Sequence, residues 1–384
     1  MLSKPLEDIR VVDMTHVWFG PWATMMMADM GAEVIRIEPP WGAIDRISEG
    51  LLYGGAPYTF HHLNQNKKDL TLNLKSPEGM RLLKELIKKS DVVIQNMSVG
   101  TMEKLGLSYE ELKKLNPGII YAALSGFGQY GPYKNRNCYA MIAEAMSGHT
   151  RMTGDGVDPQ GPPIEMAMSL GDITPGSLAA MAIIAALRYR DKTGLGQMID
   201  VAQLDCMVAS NPGITGYFLS GMPNWEMRKK YPTGGIGGIF KAKDGGWVRV
   251  GAFSPSALEN LKKVLNIEEP TKEDCEKFVA SLNRDEAVQA FVDADLAVAP
   301  IYQLNETVND PHLAARGMFI DLDHLKAGKI RTANNPIKFS LTPTERKSAA
   351  PILGQHNKEI LGMILGLSDA EIEELVNNGV VAQT

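Results

Sequence analysis

The chain has 384 residues, 44% hydrophobic and 22% charged, with a net charge of −6 and three cysteines. A chain of this length suggests about two to three domains and can bury a core without covalent staples. The acidic balance, unbroken by any Lys/Arg cluster, argues against a nucleic-acid partner. Cys138, Cys206 and Cys275 lie far apart with no CxxC pair. That spacing excludes a disulfide framework and a Cys-rich zinc site, and fits a reducing, cytoplasmic compartment. The N-terminus lacks an apolar signal core, and the longest apolar run, Leu178–Leu187, is too short to span a bilayer. The expectation is a soluble cytoplasmic protein with no membrane partner.

In chain order, Ile9–Met14 reads as a strand, Thr15–Gly20 as a turn, Pro21–Met30 as a helix and Glu33–Glu38 as a second strand. Strand, helix and strand within about thirty residues form a βαβ unit and imply a parallel sheet. Strands follow at Leu70–Leu74, Asp91–Gln95, Ile119–Leu124 and Gln197–Val201, with helices at Pro77–Lys89, Tyr109–Leu115 and Ala202–Ser210. The first part is therefore an open, Rossmann-like α/β sheet whose ligands bind beyond the carboxyl ends of its strands. No GxGxxG follows the first strand and no GxxxxGK[ST] occurs, so NAD and ATP are not the expected ligands.

After Asn211-Pro212-Gly213 the composition changes. Tyr231–Gly238 reads as an uncharged glycine-rich loop, and Lys241–Gly251 as a hairpin around Asp244-Gly245-Gly246. Helices near Ser256–Leu265, Lys272–Ser281 and Asp285–Asp293 precede strands at Phe319–Asp323 and Lys329–Thr332. The expected division is a large α/β domain over 1–220, a smaller α+β domain over 221–325, and a segment over 326–384 that returns to the first with helices at Asn357–Leu365 and Ser368–Asn378.

The stretch Ser169–Arg190 carries one acid, Asp172, ahead of an apolar run. Thr174 suits the N-cap and Pro175 the first helical position. The run from Leu178 to Leu187 is apolar on every face and predicts a helix buried on all sides. Asp172 would then lie near the positive end of that helix, which favours its ionised form. Gly171 and Gly176 would let another molecule approach. Two roles remain open on these residues alone: a cap, or a carboxylate nucleophile.

Other candidates are weaker. His61-His62 point apart in any regular element and have no third ligand at metal spacing, so no metal is expected. Glu144, Asp155, Asp158 and Glu165 surround Asp172 in sequence without fixing any distance. Trp18, Phe19 and Trp22 form either a pocket wall or ordinary packing. The glycines at 234, 235, 237 and 238 form either a bend or a mobile lid.

Taken together the segments resemble the family III CoA-transferases, which include formyl-CoA:oxalate and carnitine CoA-transferases and have α-methylacyl-CoA racemases as cousins. The resemblance is carried in order by Pro5–Asp13, Gly20-Pro21, Met30–Pro40, Asn66-Lys67-Lys68, Leu72–Lys75, Pro77-Glu78-Gly79 and Lys104-Leu105-Gly106. It continues through Gly126-Phe127-Gly128, Ala145–Gly148, Gly171-Asp172, Thr193–Gln197, Asp310-Pro311, Ala315-Arg316-Gly317 and Leu353–His356. It implies that Asp172 is catalytic and that two chains interlock as a homodimer, or as a heteromer with a homologous subunit. It implies coenzyme A as cosubstrate, no prosthetic group, and CoA contacts at His16, Val17, Trp18, Arg36, Leu72, Lys75, Asn96, Met97 and Lys104. Lys and Arg suit the CoA phosphates.

The chain departs from the family pattern at several places. Met97-Ser98 stand where Phe-Arg is frequent, and Trp18 stands where the oxalate enzymes have Gln, which points to a bulkier or more apolar acid. Tyr139-Ala140 replace the His-Asp of the racemases. Racemisation needs two acid–base groups facing one carbon, so this loss favours transfer. The resemblance thus implies exchange of CoA between acids through an aspartyl anhydride and an aspartyl-CoA thioester, with Gly234, Gly235, Gly237 and Gly238 as the lid and Tyr139 near the substrate. An α-methylacyl-CoA racemase, or a non-catalytic CoA-binding subunit of a heteromer, is the alternative.

Overall fold

A computed structural model describes residues 3–47, 52–231 and 234–383; Pro232 and Thr233 of the glycine-rich segment lie outside the described residues. The chain divides into two compact units, one running to Ile214 and resuming at Gly317, the other spanning Thr215–Arg316. The strand predicted at the end of the small domain, observed over Phe319–His324, pairs with Gly328–Ala333, and both lie in the resumed part of the first unit.

Among the described residues the first unit is built on six strands: β1 (Arg10–Met14), β2 (Glu33–Glu38), β3 (Lys68–Thr71), β4 (Val92–Gln95), β5 (Ile120–Ser125) and β6 (Met198–Ala202). They are parallel in the order β3-β2-β1-β4-β5-β6. This is a doubly wound sheet whose order reverses between β1 and β4. β3 ends earlier than predicted. Leu72 still donates its N–H to Glu38 O at 2.7 Å, but Asn73 turns the chain and its carbonyl accepts from Ser76 N. Ser76 in turn caps the helix α2 (Pro77–Lys88), its hydroxyl accepting from Gly79 N.

Alternate strand residues serve opposite faces, as a pleated strand requires. Val11, Val34, Val92, Ile94, Ile120, Ala122 and Leu124 pack under α1 (Phe19–Asp29) and α5 (Leu170–Thr193). Val12, Ile35, Leu70, Val93, Tyr121 and Ala123 pack under α2 and α3 (Tyr109–Leu115). The second face is completed by Ile360, Leu361, Ile372, Leu375 and Val380. Two further helices, α4 (Ala140–Met146) and α6 (Gln203–Ala209), flank the start of α5.

The helix α5 departs from its sequence-based picture in three ways. It begins one turn earlier, at Leu170 with Ser169 as N-cap, and places Pro175 inside. A residue with an N–H at 175 would bond Gly171 O; instead Gln203 Nε2 donates to that carbonyl at 3.1 Å, so the proline leaves no orphan acceptor. The helix is also 24 residues long and apolar enough by composition to cross a bilayer, which corrects the expectation that it is too short. It serves as a core helix, with Pro175, Gly176, Ala179, Ala180, Ile183, Ala186 and Leu187 buried. Third, it is not buried all round: Ser177, Met181, Ala185 and Arg188 are exposed, one residue per turn. A Cβ on Gly176 would stand 2.7 Å from Phe19 O, and Trp22 Nε1 donates to Ser177 Oγ at 3.0 Å, so α1 and α5 are in close contact.

The second unit is a three-stranded antiparallel sheet, β7 (Ile236–Lys241), β8 (Trp247–Ala252) and β9 (Ala297–Pro300), with β8 in the middle. Its core gathers Phe240, Val248, Val250, Leu261, Val279 and Phe291. The turn at Asp244-Gly245-Gly246 closes the hairpin as predicted, Gly245 having φ +88°. Half of the glycine run is strand. Gly237 and Gly238 lie in β7 opposite Gly251 and Val250. Cβ atoms on Gly237 and Gly251 would stand 2.7 and 2.8 Å from the Phe253 ring, so the side chain crossing the strands demands glycine there. Only Gly234, with φ +72°, and Gly235 are left outside the strand.

Candidate active site

A cleft of about 530 Å³ opens beyond the carboxyl ends of β1, β4 and β5, at the point where the strand order reverses. The turn after β1 supplies His16, Val17, Trp18 and Phe19; the turn after β4 supplies Asn96 to Val99; β5 and the loop after it supply Leu124 to Gly126 and Lys134 to Tyr139. Asp172 from α5 and Gln203 from α6 complete it.

Asp172 is the third residue of α5, and burial pushes its carboxyl up to about 7. Gln203 Nε2 donates to Asp172 Oδ1 at 2.6 Å and works downward; the nearby Glu144 works upward. The expectation that the helix terminus keeps Asp172 ionised is therefore corrected. The terminus is already occupied: the buried Glu144 on α4 accepts the Gly171 N–H at 2.8 Å, and the N–H groups of Asp172 and Ile173 both bond Ser169 O at 3.0 Å. Nor do the two glycines admit a ligand. A Cβ on Gly171 would stand 2.5 Å from Ala140 O, and Gly176 abuts Phe19 and Trp22. They let helices approach one another. The result is a carboxylate at a cleft wall, with no salt bridge to a cation among the described residues, that accepts from one side-chain amide.

The rest of the predicted set divides clearly. His16, Val17, Trp18, Asn96, Met97 and Tyr139 line the cleft together with Asp172. Arg36 does not: it is fully buried, its guanidinium bonded to Glu38 at 2.8 Å, Asp45 at 2.7 Å and Thr15 O at 3.0 Å. A guanidinium so enclosed does not present its side chain to the cleft. Leu72 is likewise a core side chain. Lys75 and Lys104 are exposed but do not line the cleft; Lys75 Nζ lies 5.9 Å over the exposed Trp41 ring. Gly234, Gly235, Gly237 and Gly238 belong to the second unit. Of the aromatic cluster, Trp18 and Phe19 line the cleft, while Trp22 packs beside His62 with ring centroids 6.1 Å apart.

Sequence reasoning missed Gln203 and the segment Lys134–Cys138, and it named Glu144 among the acids near Asp172 without placing it. Gln203 directly follows β6, so the strand-end rule that flagged the other turns points to it as well. Lys134 and Arg136 have no carboxylate partner among the described residues, and the Arg136 guanidinium lies 4.5 Å over the Tyr133 ring. Cys138 also faces the cleft; burial, and then Asp172, push its thiol up to about 11, so it is protonated at neutral pH. A Cβ on Gly126 would overlap the Cys138 side chain, which accounts for glycine there.

Comparison with known proteins gives the family. The family model described as CoA-transferase family III matches residues 6–357. Succinyl-CoA:glutarate CoA-transferase of Mus musculus is 33% identical, the alignment covering 99% of this chain and 91% of that protein. Succinyl-CoA–D-citramalate CoA-transferase of Chloroflexus aurantiacus is 32% identical, covering 97% of each. The crystal structure of a CAIB/BAIF family protein from Brucella suis superimposes with a TM-score of 0.82 at 28% identity, covering 94% of this chain and 99% of that one. The chain belongs to CoA-transferase family III and is a CoA-transferase.

Proposed function

We propose that Asp172 carries the coenzyme covalently between two carboxylic acids. The Asp172 carboxylate attacks the thioester carbonyl of the donor. The C–S bond breaks, CoA leaves as thiolate, and an aspartyl–acyl anhydride remains. The thiolate attacks the aspartyl carbonyl, the donor leaves as its carboxylate, and Asp172 holds CoA as a thioester. The acceptor carboxylate then expels CoA thiolate and forms a second anhydride. Attack of the thiolate on the acceptor's acyl carbonyl yields the new acyl-CoA and frees Asp172. No net proton or electron is consumed, and the exchange is divided into steps with good leaving groups.

The supporting observation is the state of Asp172: buried enough that its carboxyl rises to about 7, facing the cleft, and paired with a neutral amide and not with a cation. A carboxylate neutralised by Lys or Arg is a poor nucleophile; a desolvated one held by a single amide keeps its basicity. Gln203 positions Oδ1, which directs Oδ2 toward the incoming carbonyl.

The donor we infer is succinyl-CoA, as the names of the two relatives state for those proteins. For the acceptor, Trp18, Met97 and Tyr139 offer apolar wall, and Lys134 and Arg136, which have no carboxylate partner among the described residues, suit a second carboxylate. That combination favours an aryl- or branched-chain dicarboxylic acid such as an aryl-succinate. For the lid, Gly234, with φ +72° and open space around it, is the part of the glycine run with the backbone freedom required. The exposed face of α5, with Met181 and Ala185, supports a second chain covering it in a dimer. Three free cysteines accord with a cytoplasmic location.

The test is to mix the enzyme with succinyl-CoA and quench with hydroxylamine or borohydride. Mass spectrometry should then find the modification on the peptide containing Asp172. Exchange among a panel of labelled acids without any adduct at that position rejects the scheme; the same panel ranks aryl, branched and simple dicarboxylic acceptors.

A further inference from the structure

Val17, in the first turn of the cleft, has φ +72°. The other non-glycine residues with positive φ among those described are Asn66, Asn266 and Asp295. Asn and Asp tolerate this left-handed region; a β-branched valine enters it only against steric strain, and such strain persists where its surroundings over-determine it. The surroundings here do so. Thr15 donates its N–H to Asp13 Oδ1 at 2.9 Å, and its carbonyl accepts from Arg36 Nη1 at 3.0 Å. Asn96 takes the His16 N–H at 3.0 Å and returns its own amide to His16 O at 2.8 Å. Val17 donates its N–H to Asp45 Oδ2 at 3.1 Å, while Asp45 Oδ1 holds Arg36 Nη2 at 2.7 Å. Asp45 is nearly buried, in the short turn Ile44–Arg46 after β2.

We propose that Asp45, backed by Arg36, is a positioning residue for CoA transfer: it holds Val17 in the left-handed conformation and thereby aims Trp18 into the cleft before any ligand arrives. Neither Asp45 nor Arg36 lines the cleft. They act on the peptide between strands β1 and β2, on the side opposite the Asn96 clamp from β4. If Asp45 loses its grip, the Val17 peptide relaxes to negative φ and swings the Trp18 side chain away from its place beside the His62 ring, 6.1 Å off. Affinity for the ligand falls, and the chemistry at Asp172, on another element, does not. What the cleft binds rests on the function proposed above; the clamp itself does not.

The experiment is a double-mutant cycle of Asp45→Asn and Val17→Gly, read by CoA binding in calorimetry, by KM and kcat, and by amide hydrogen exchange at Val17. Glycine takes positive φ without strain, so the clamp matters less once it is there. Asp45→Asn should weaken CoA binding and raise the acyl-CoA KM about tenfold with kcat changed less than about threefold, and speed exchange at Val17. In the Val17→Gly background the same change should weaken binding by less than about threefold. Asp69→Asn is the control. Asp69 is also buried and binds Arg46 and the Gly354 N–H, but among the described residues it has no bond to the His16–Trp18 segment after β1. The proposal is overturned if Asp69→Asn at matched loss of Tm raises KM as much, if the loss from Asp45→Asn is the same with glycine at 17, or if Val17 exchange is unchanged. If the unaltered protein neither binds CoA nor exchanges it, the proposed function fails, and the exchange rate at Val17 still decides the clamp.

Discussion

Asp13 and Glu38, buried beside cations, and Asp172, at the cleft wall, shift in opposite directions, while Asp69, crowded by burial and by Glu38, rises in spite of Arg46. Beneath the first turn, Asp13, Arg36 and Asp69 sit in register across β1, β2 and β3. Lys67, Glu38, Asp45 and Arg46 complete the set. Burial pushes Asp13 upward, but Lys67, Arg36 and the Thr15 and Thr24 hydroxyls outweigh it and hold it below the usual carboxylate range. Glu38 is held down likewise, chiefly by Arg36 against the effect of burial. Asp172 is half-buried, the charge that acts on it is another acid, Glu144, and it rises to about 7. Burial with a countercharge makes scaffold, which fixes the turn. Burial without one makes a reactive group, because nothing nearby quenches the ionised form.

The contrast can be tested from both sides. Asp172→Ala should lower CoA exchange by about a thousandfold or more while calorimetry still finds CoA bound; normal turnover would put Asp172 among the scaffold acids. On the other side, Lys67→Met strands Asp13 without its ammonium and should cost about 3–5 kcal/mol. Thermal denaturation reads this as a Tm fall of around ten degrees. A small effect would mean that the cluster is not held by its pairs.

The pH profile sharpens the difference. Exchange needs ionised Asp172, so kcat/KM should rise with pH and level off above about 7. Gln203→Leu removes the donor that favours the ionised form, and should move that limb to higher pH and lower the rate at pH 7 by about tenfold. Glu144→Gln should move the limb the other way. A limb that ignores both substitutions belongs to another group.

The smallest effect is on stability. The folded carboxyl of Asp172 titrates near 7, above its ordinary value of 3.8. Its contribution to folding is therefore present below about pH 4 and is lost as pH rises through 7. Asp172→Asn should denature later than the unaltered protein at pH 8, by about 1–2 kcal/mol after allowance for solvent screening. The gap should close by pH 4.

How far the sequence reached follows from the range of each signal. The strands are marked by short apolar runs and turns, so all six are legible within a few residues. The register that puts Arg36 between Asp13 and Asp69 is a property of paired strands and carries no mark in the sequence, where Arg36 is singled out by resemblance alone. The start of α5 was hidden because Thr174-Pro175 looks like a helix beginning, and only Gln203, thirty-one positions from Asp172, makes the earlier start tolerable. Asp172 itself could be told from a cap by resemblance alone. Gln203 and Glu144 carry no local mark, since each acts through a neighbour distant in the chain.

The sheet's second face is closed by residues from the far end of the chain. Asn357 takes the Thr71 N–H at 2.8 Å, and Ile360, Leu361 and Leu375 seal a core begun at Val12. On the ribosome, Gln95 of β4 emerges 265 residues before Ile360 (360 − 95). At about 5–20 residues per second, that apolar face waits roughly ten to fifty seconds for its cover. A nascent chain must be shielded by chaperones for that interval, and a product stopped near residue 350 should be captured by them or degraded, whatever the condition of its cleft.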